Sequence, residues 1–268
     1  MITTLLAAAL LGPYETGELK FRKEREDGLR AERGWLSVAG LFWLNEGEST
    51  VGSENSSVVR LPISAPGNFG VLTRKGDNVT FRSQTGEERV LKSDQDTVKA
   101  GDATFMVIQR GARVGVRLFD PHSKAMQEFN GTKWFPIDQK YRVEANFVPY
   151  PKPKTLSIMN VLGDSTPVPC PGYVTFKIQG KPQRLEVQDE GGTFFFNFTD
   201  LTSGKETYGA GRFLYAPGVK SGKMTIDFNR AINPPCAYTA FATCPLPPKG
   251  NDLSVRVPAG ELAHHPVK

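Results

Sequence analysis

The segment Asp227 to Pro248 constrains the fold most, because five prolines fall within these 22 residues. Proline fixes φ and removes a backbone donor, so Asn233-Pro234-Pro235 and Cys244-Pro245-Leu246-Pro247-Pro248 are barred from helix interiors and central strands. The preceding Met224-Thr225-Ile226 reads as a short strand. The expectation is a stiff loop hung on a strand end, with Asp227, Asn229, Asn233 and Cys236 held in fixed directions. Loops braced in this way carry binding and catalytic groups more often than rigid elements do.

The rest of the chain is punctuated in the same spirit, with 27 glycines and 20 prolines among 268 residues. Short strands separated by turns explain that composition better than long helices. Residues 14–34 are charged, with Glu18/Arg22, Lys20/Glu24 and Glu26/Arg30 spaced for pairing on a solvated surface helix. After the apolar run Gly34 to Leu44 come strand candidates at 50–51, 58–61, 69–73, 79–82, 89–92, 103–109 and 113–119, the pattern of a β-sandwich over residues 35–130.

Beyond a linker with an Asn130-Gly131 turn, residues 131–262 alternate apolar and polar: Val143, Ala145, Phe147; Val174, Phe176, Ile178; Leu253, Val255, Val257. Gly192 to Thr199 is apolar on both faces and reads as a central strand. Antiparallel strands without intervening helices suggest a β-barrel-like unit, followed by a tail at 263–268.

A net charge of +5 is spread among acids without a basic tract, which argues against a nucleic-acid partner. Residues 1–13 read as a signal or N-terminal extension: Ile2 to Leu11 is apolar, too short to span a bilayer, and similar to a secretory core although no Lys or Arg precedes it. The expectation is export to the periplasm or outside the cell without an integral membrane span, the alternative being a cytoplasmic protein with a buried N-terminal segment.

Three histidines, His122, His264 and His265, leave little for a triad or zinc site, and no complete phosphate-cradling glycine motif follows a strand. No metal or cofactor is expected. What remains is a polar constellation of Tyr208, Arg212, Asp227, Asn229 and Asn233, with Glu261 nearby in sequence. If Phe228 faces the core, strand alternation turns Asp227 and Asn229 to the other face, where Arg212 could pair with Asp227 in a bidentate contact. Cys236 and Cys244 are close enough in sequence for a disulfide, the alternatives being buried free thiols or a reactive Cys236 next to Arg230 or Arg212.

Two resemblances add to this reading. Thr50 to Leu61 and Val98 to Ile108 resemble the opening and closing hairpins of a forkhead-associated-like sandwich, but Ser53 stands where the phosphothreonine-reading version carries Arg, so this half is expected to be scaffold or a protein-partner surface. Separately, Gly34 to Leu44, Asp200 to Tyr208, Asp227 to Pro248 and Ala259-Gly260-Glu261 are similar to an uncharacterised microbial family registered as domain of unknown function 1684. That resemblance implies a two-part, mostly β chain, often with an export signal, and carries over no site.

The expected function is therefore binding of a polar or anionic small molecule through Tyr208, Arg212, Asp227, Asn229 and Asn233. The alternatives are a metal-independent hydrolase or isomerase using Asp227 and Arg212, and a structural or envelope interaction module. Binding ranks first because a carboxylate beside a guanidinium is a poor base at neutral pH.

Overall fold

The structure, a computed structural model, describes residues 12–264. The export expectation on Ile2 to Leu11 and residue His265 lie outside that range. The chain runs α1 (Pro13–Arg30), β1 (Val38–Trp43), β2 (Gly47–Gly52), β3 (Val59–Arg60), β4 (Gly70–Lys75), β5 (Asn78–Ser83), β6 (Glu88–Leu91), β7 (Thr97–Ala100), β8 (Ala103–Arg110) and β9 (Arg113–Phe119). After the short helix α2 (Lys124–Glu128) come β10 (Arg142–Met159), β11 (Ser165–Ile178), β12 (Lys181–Glu186), β13 (Gln188–Glu190), β14 (Thr193–Phe198), β15 (Arg212–Ala216) and β16 (Lys223–Asp227). The protein is mostly β, with an N-terminal helix and several antiparallel sheets, as the punctuation of the sequence implies.

In the first half, β1-β9-β8-β7 and β3-β2-β4-β5-β6 enclose a core of Leu72, Phe81, Phe105, Val107, Val116 and Leu118, among others. Strand alternation sets the two faces of β9. Val114, Val116 and Leu118 point into that core, so Arg117 and Phe119 must occupy the opposite face. That face is not left to solvent. Val38, Met106 and Ile108 of the neighbouring strands share it, Trp35 packs over it, and Arg117 is only 6% exposed.

In the second half, the sheets β12-β11-β10-β16 and β13-β14-β15 face one another across a core that includes Val174, Leu185, Phe196, Phe198, Leu214, Ile226 and Phe228. The expected barrel is two open sheets around one core; their nearest edges are stitched where Val187 N–H donates to Gly172 O at 3.1 Å. The central-strand reading of the phenylalanine run holds, since β14 is paired on both sides, by β13 and β15. Leu253, Val255 and Val257 fill the same core from an extended segment outside the paired strands.

The helix α1 is the main departure from expectation. Only its outer charges behave as a solvated face, with Lys20–Glu24 at 3.6 Å and Lys23–Asp27 at 2.6 Å; of the expected Glu26–Arg30 pair, Glu26 also accepts from Thr132 and Arg30 also donates to the Phe129 carbonyl. Its inner charges reach across to the second half: Tyr14 to Asp227, Glu18 to Arg230 at 2.8 Å, and Arg25 to the carbonyl of Asn233 at 2.9 Å. Spacing of i,i+4 charges cannot distinguish a helix that pairs with itself from one that pairs with a loop some 200 residues away. Glu18 is accordingly buried, where a solvated helix would expose it. No helix among the described residues is long and apolar enough to cross a membrane.

Candidate functional site

The expected Arg212–Asp227 pair is not formed. Arg212 starts β15 with a side chain wholly shut off from solvent, and its guanidinium binds the Asp200 carboxylate at 2.9 Å and the carbonyls of Val257 and Ala259. Asp200 in turn accepts from Val257 N–H at 2.8 Å and Thr202 N–H at 2.9 Å. This is a structural staple fastening the 253–259 segment to the sheet, and it presents nothing to a ligand.

Asp227 and Asn229 serve a second staple. β16 ends at Asp227, whose carboxylate accepts Asn229 N–H at 3.1 Å and caps the 3₁₀ turn Phe228–Arg230. Strand alternation stops at that cap, which is why Phe228 and Asn229 are both buried. The Asn229 carboxamide spans both backbone groups of Asp138 at 3.0 Å, and the Tyr14 hydroxyl donates to Asp227 at 2.8 Å. Burial, with the Asp227 carboxylate beside it, pushes the Tyr14 hydroxyl well above its ordinary pKa.

Asn233 is different. Its N–H donates to Glu261 Oε2 at 2.9 Å and its Nδ2 to Leu262 O at 2.7 Å, while its buried Oδ1 has no partner. Glu261 also accepts from the Tyr238 hydroxyl and lies 3.6 Å from Arg25 Nε. The left-handed Gly260 (φ +84°) turns the chain into this cluster where a Cβ would meet Ala231 O at 2.5 Å, so only glycine fits. Burial drives the Glu261 carboxyl from 4.5 up to about 7.

A carboxyl that binds its proton more tightly when folded contributes stability that is full below the unfolded value of about 4.5 and is lost as pH rises through about 7. Between pH 5 and 8 wild type is therefore expected to lose about 2.5 kcal/mol relative to Glu261→Gln, which cannot titrate. Denaturant melts of both proteins across that range test this; parallel pH profiles would contradict it.

Asn233 also lines a recess of about 360 Å³, within the range of small-molecule sites. Arg25 of α1, Arg110 of β8 and Arg117 of β9 contribute cations to it, and Trp35, Phe195, Phe213 and Tyr215 contribute aromatic surface. The proline-braced loop closes one wall with Pro235, Thr243, Cys244 and Pro245. Phe195 stands edge-on to Phe213 at 4.9 Å and beside Tyr215 at 5.0 Å, forming a continuous shelf.

The three cations are not equivalent. Arg110 pairs with Asp94 at 3.0 Å, and Arg25 has Glu261 and the Asn233 carbonyl. Arg117 has no carboxylate at ion-pair distance and no hydrogen bond among the described residues, although the Asp94 carboxylate is near enough to favour its charge; its guanidinium lies 4.9 Å from the Trp35 ring and its buried Nε is orphaned. Burial, with Arg110 adding repulsion, lowers its pKa to about 10, which leaves it charged at neutral pH. Asn233 Oδ1 is also without a partner in the same recess, whereas Arg25 Nε lies 3.6 Å from Glu261 Oε2. Buried polar groups are nearly always paired, so Arg117 Nε and Asn233 Oδ1 leave one unmet donor and one unmet acceptor at this hollow.

A larger concavity, about 930 Å³, lies against β10, β11 and β12 and the 250–254 segment. Two of its charged residues already have partners, Glu144 with Lys223 at 2.5 Å and Arg184 with Glu186 at 2.7 Å, so we place the site at the smaller recess.

Of the residues expected from the sequence, the structure brings Asn233 to the recess, with Cys244 of the expected disulfide. Tyr208 stands behind the loop, its hydroxyl donating to Cys236 O at 3.2 Å. Cys236 and Cys244 are free thiols here, not a disulfide. The arginines of α1, β8 and β9 escape sequence reasoning, because nothing in their local sequence separates them from surface charge; the one available signal is Arg117 on a strand otherwise rich in buried residues.

No curated protein matches the chain. Among solved structures, the solution NMR structure of an uncharacterised protein of Haloarcula marismortui is 32% identical, covering 51% of this chain and 78% of that one, with a TM-score of 0.43. Residues 127–262, which carry the proline-braced loop and most of the recess lining but not Arg25, Trp35, Arg110 or Arg117, match the family described as protein of unknown function (DUF1684), and the chain belongs to that family.

Proposed function

We propose that the protein binds a small anionic molecule with an apolar, ring-sized body in the recess between Arg117 and the Phe195–Tyr215 shelf. The observation that carries this reading is the uncompensated Arg117 guanidinium. An unpaired buried cation is costly, and a bound carboxylate or phosphate would supply the missing charge and bidentate acceptors. Arg110, partly neutralised by Asp94, adds a second positive group at the same wall. The aromatic shelf accounts for the apolar part: a ring can stack there at little entropic cost. Glu190 at the rim, its pKa raised by burial, disfavours anions that extend past Tyr215.

Thermal unfolding with benzoate, phenyl phosphate, inorganic phosphate and neutral benzamide tests the proposal. Both aryl anions are expected to raise Tm, inorganic phosphate less, and benzamide not at all. Equal shifts from benzamide and benzoate, or none from any anion, would remove the reading.

A further inference from the structure

The proline-braced loop also brings two thiols together, and Cys244 of the pair lines the recess. We propose that Cys236 and Cys244 form a hydroperoxide-reactive dithiol, with Cys236 the attacking sulfur and Cys244 the resolving one. Pro234-Pro235 precede Cys236 and Pro245 follows Cys244, so rigid backbone flanks both. The Cys236 N–H donates to Cys244 Sγ at 3.0 Å, which sets the second sulfur against the backbone of the first. The loop between them is pinned by Thr239, whose hydroxyl donates to Val38 O at 3.1 Å.

The two thiols have unequal environments. Cys236 is half-buried, whereas Cys244 is 4% exposed beneath it and packed with Phe195, Phe213 and Ala242. The Cys244 thiol beside it lowers the Cys236 pKa to about 7, against the burial that would raise it; the same closeness, with burial, pushes Cys244 upward. Tyr208, expected from the sequence to touch ligand, instead holds the backbone at Cys236, its hydroxyl donating to the Cys236 carbonyl at 3.2 Å. Cys170 is an internal contrast: it is buried against Glu186, and burial raises its pKa to about 11. The half-buried position admits a small oxidant and hinders a bulky protein disulfide.

The chemistry balances. The Cys236 thiolate, its proton already lost to water, attacks one oxygen of ROOH; the O–O bond breaks, giving Cys236–SOH and, after protonation, ROH. Cys244 sulfur then attacks the sulfenic sulfur, the S–O bond breaks, and the departing hydroxide takes the Cys244 proton as water. In sum, two thiols and one hydroperoxide give a disulfide, an alcohol and water.

The test uses the reduced full-length protein. After hydrogen peroxide treatment, denaturation and alkylation, peptide mass spectrometry is expected to find Cys236 disulfide-bonded to Cys244 and Cys170 alkylated. Cys244→Ser should arrest the reaction at a Cys236 sulfenic acid that dimedone captures, and Cys236→Ser should give neither product. In native wild type, iodoacetamide should modify Cys236 at least about tenfold faster than Cys170 at about pH 7.5, with a midpoint near 7. Recovery of Cys236 and Cys244 as free thiols after excess peroxide would overturn the proposal. So would alkylation of Cys236 no faster than Cys170, or a Cys236–Cys244 bond that native dithiothreitol cannot open.

Discussion

Arg212→Ala is expected to destabilise the protein by about 3–5 kcal/mol, the range for removing one member of a buried ion pair. The residue is wholly buried, so solvent cannot screen the Asp200 carboxylate left behind. The loss goes beyond one pair, since the carbonyls of Val257 and Ala259 lose their donors and the 253–259 segment is released from the core it fills. Replacing both partners by apolar residues does not restore balance here, because Asp200 also accepts from Val257 and Thr202. Urea unfolding gives the value directly; a change under about 1 kcal/mol would show the staple to be dispensable.

Arg117→Met is expected to behave in the opposite sense, though the residue is buried almost as deeply. In ligand-free protein it should leave stability within about 1 kcal/mol of wild type or raise it, because an uncompensated charge is removed while the methionine stem keeps its packing on Trp35. Anion affinity should fall at least about tenfold, the loss expected on removing a charge-assisted hydrogen bond of about 1.5–3 kcal/mol. The contrast between the two arginines separates a cation that holds the fold from one that waits for a partner. Neither sequence position nor degree of burial distinguishes them; the identity of their neighbours does.

How much of the fold and site is legible in the sequence depends on the range of each signal. Strand identity is local, so the runs at 103–109, 113–119 and 193–198 announce themselves through alternation or continuous apolarity. The proline-braced loop is also legible as a rigid wall, and Asn233 and Cys244 do line the recess. The partner of a charge is not local. Asp200 lies 12 residues before Arg212 on the far side of a turn, and Tyr14 lies 213 residues from Asp227, separations that no periodicity encodes. Alternation also misleads where it ends: the Asp227 cap breaks the strand, so Asn229 turns inward with Phe228. The helix α1 reads as solvated for the same reason, its partners being contributed by the opposite end of the chain.

Calorimetric titration of phenyl phosphate into wild type and Arg117→Met at low salt decides whether Arg117, which no carboxylate contacts, takes its partner from an anion entering the recess. One saturable site is expected in wild type, with an affinity at least about tenfold lower in the variant. Indistinguishable isotherms for the two proteins, or no heat of binding in wild type, would contradict it.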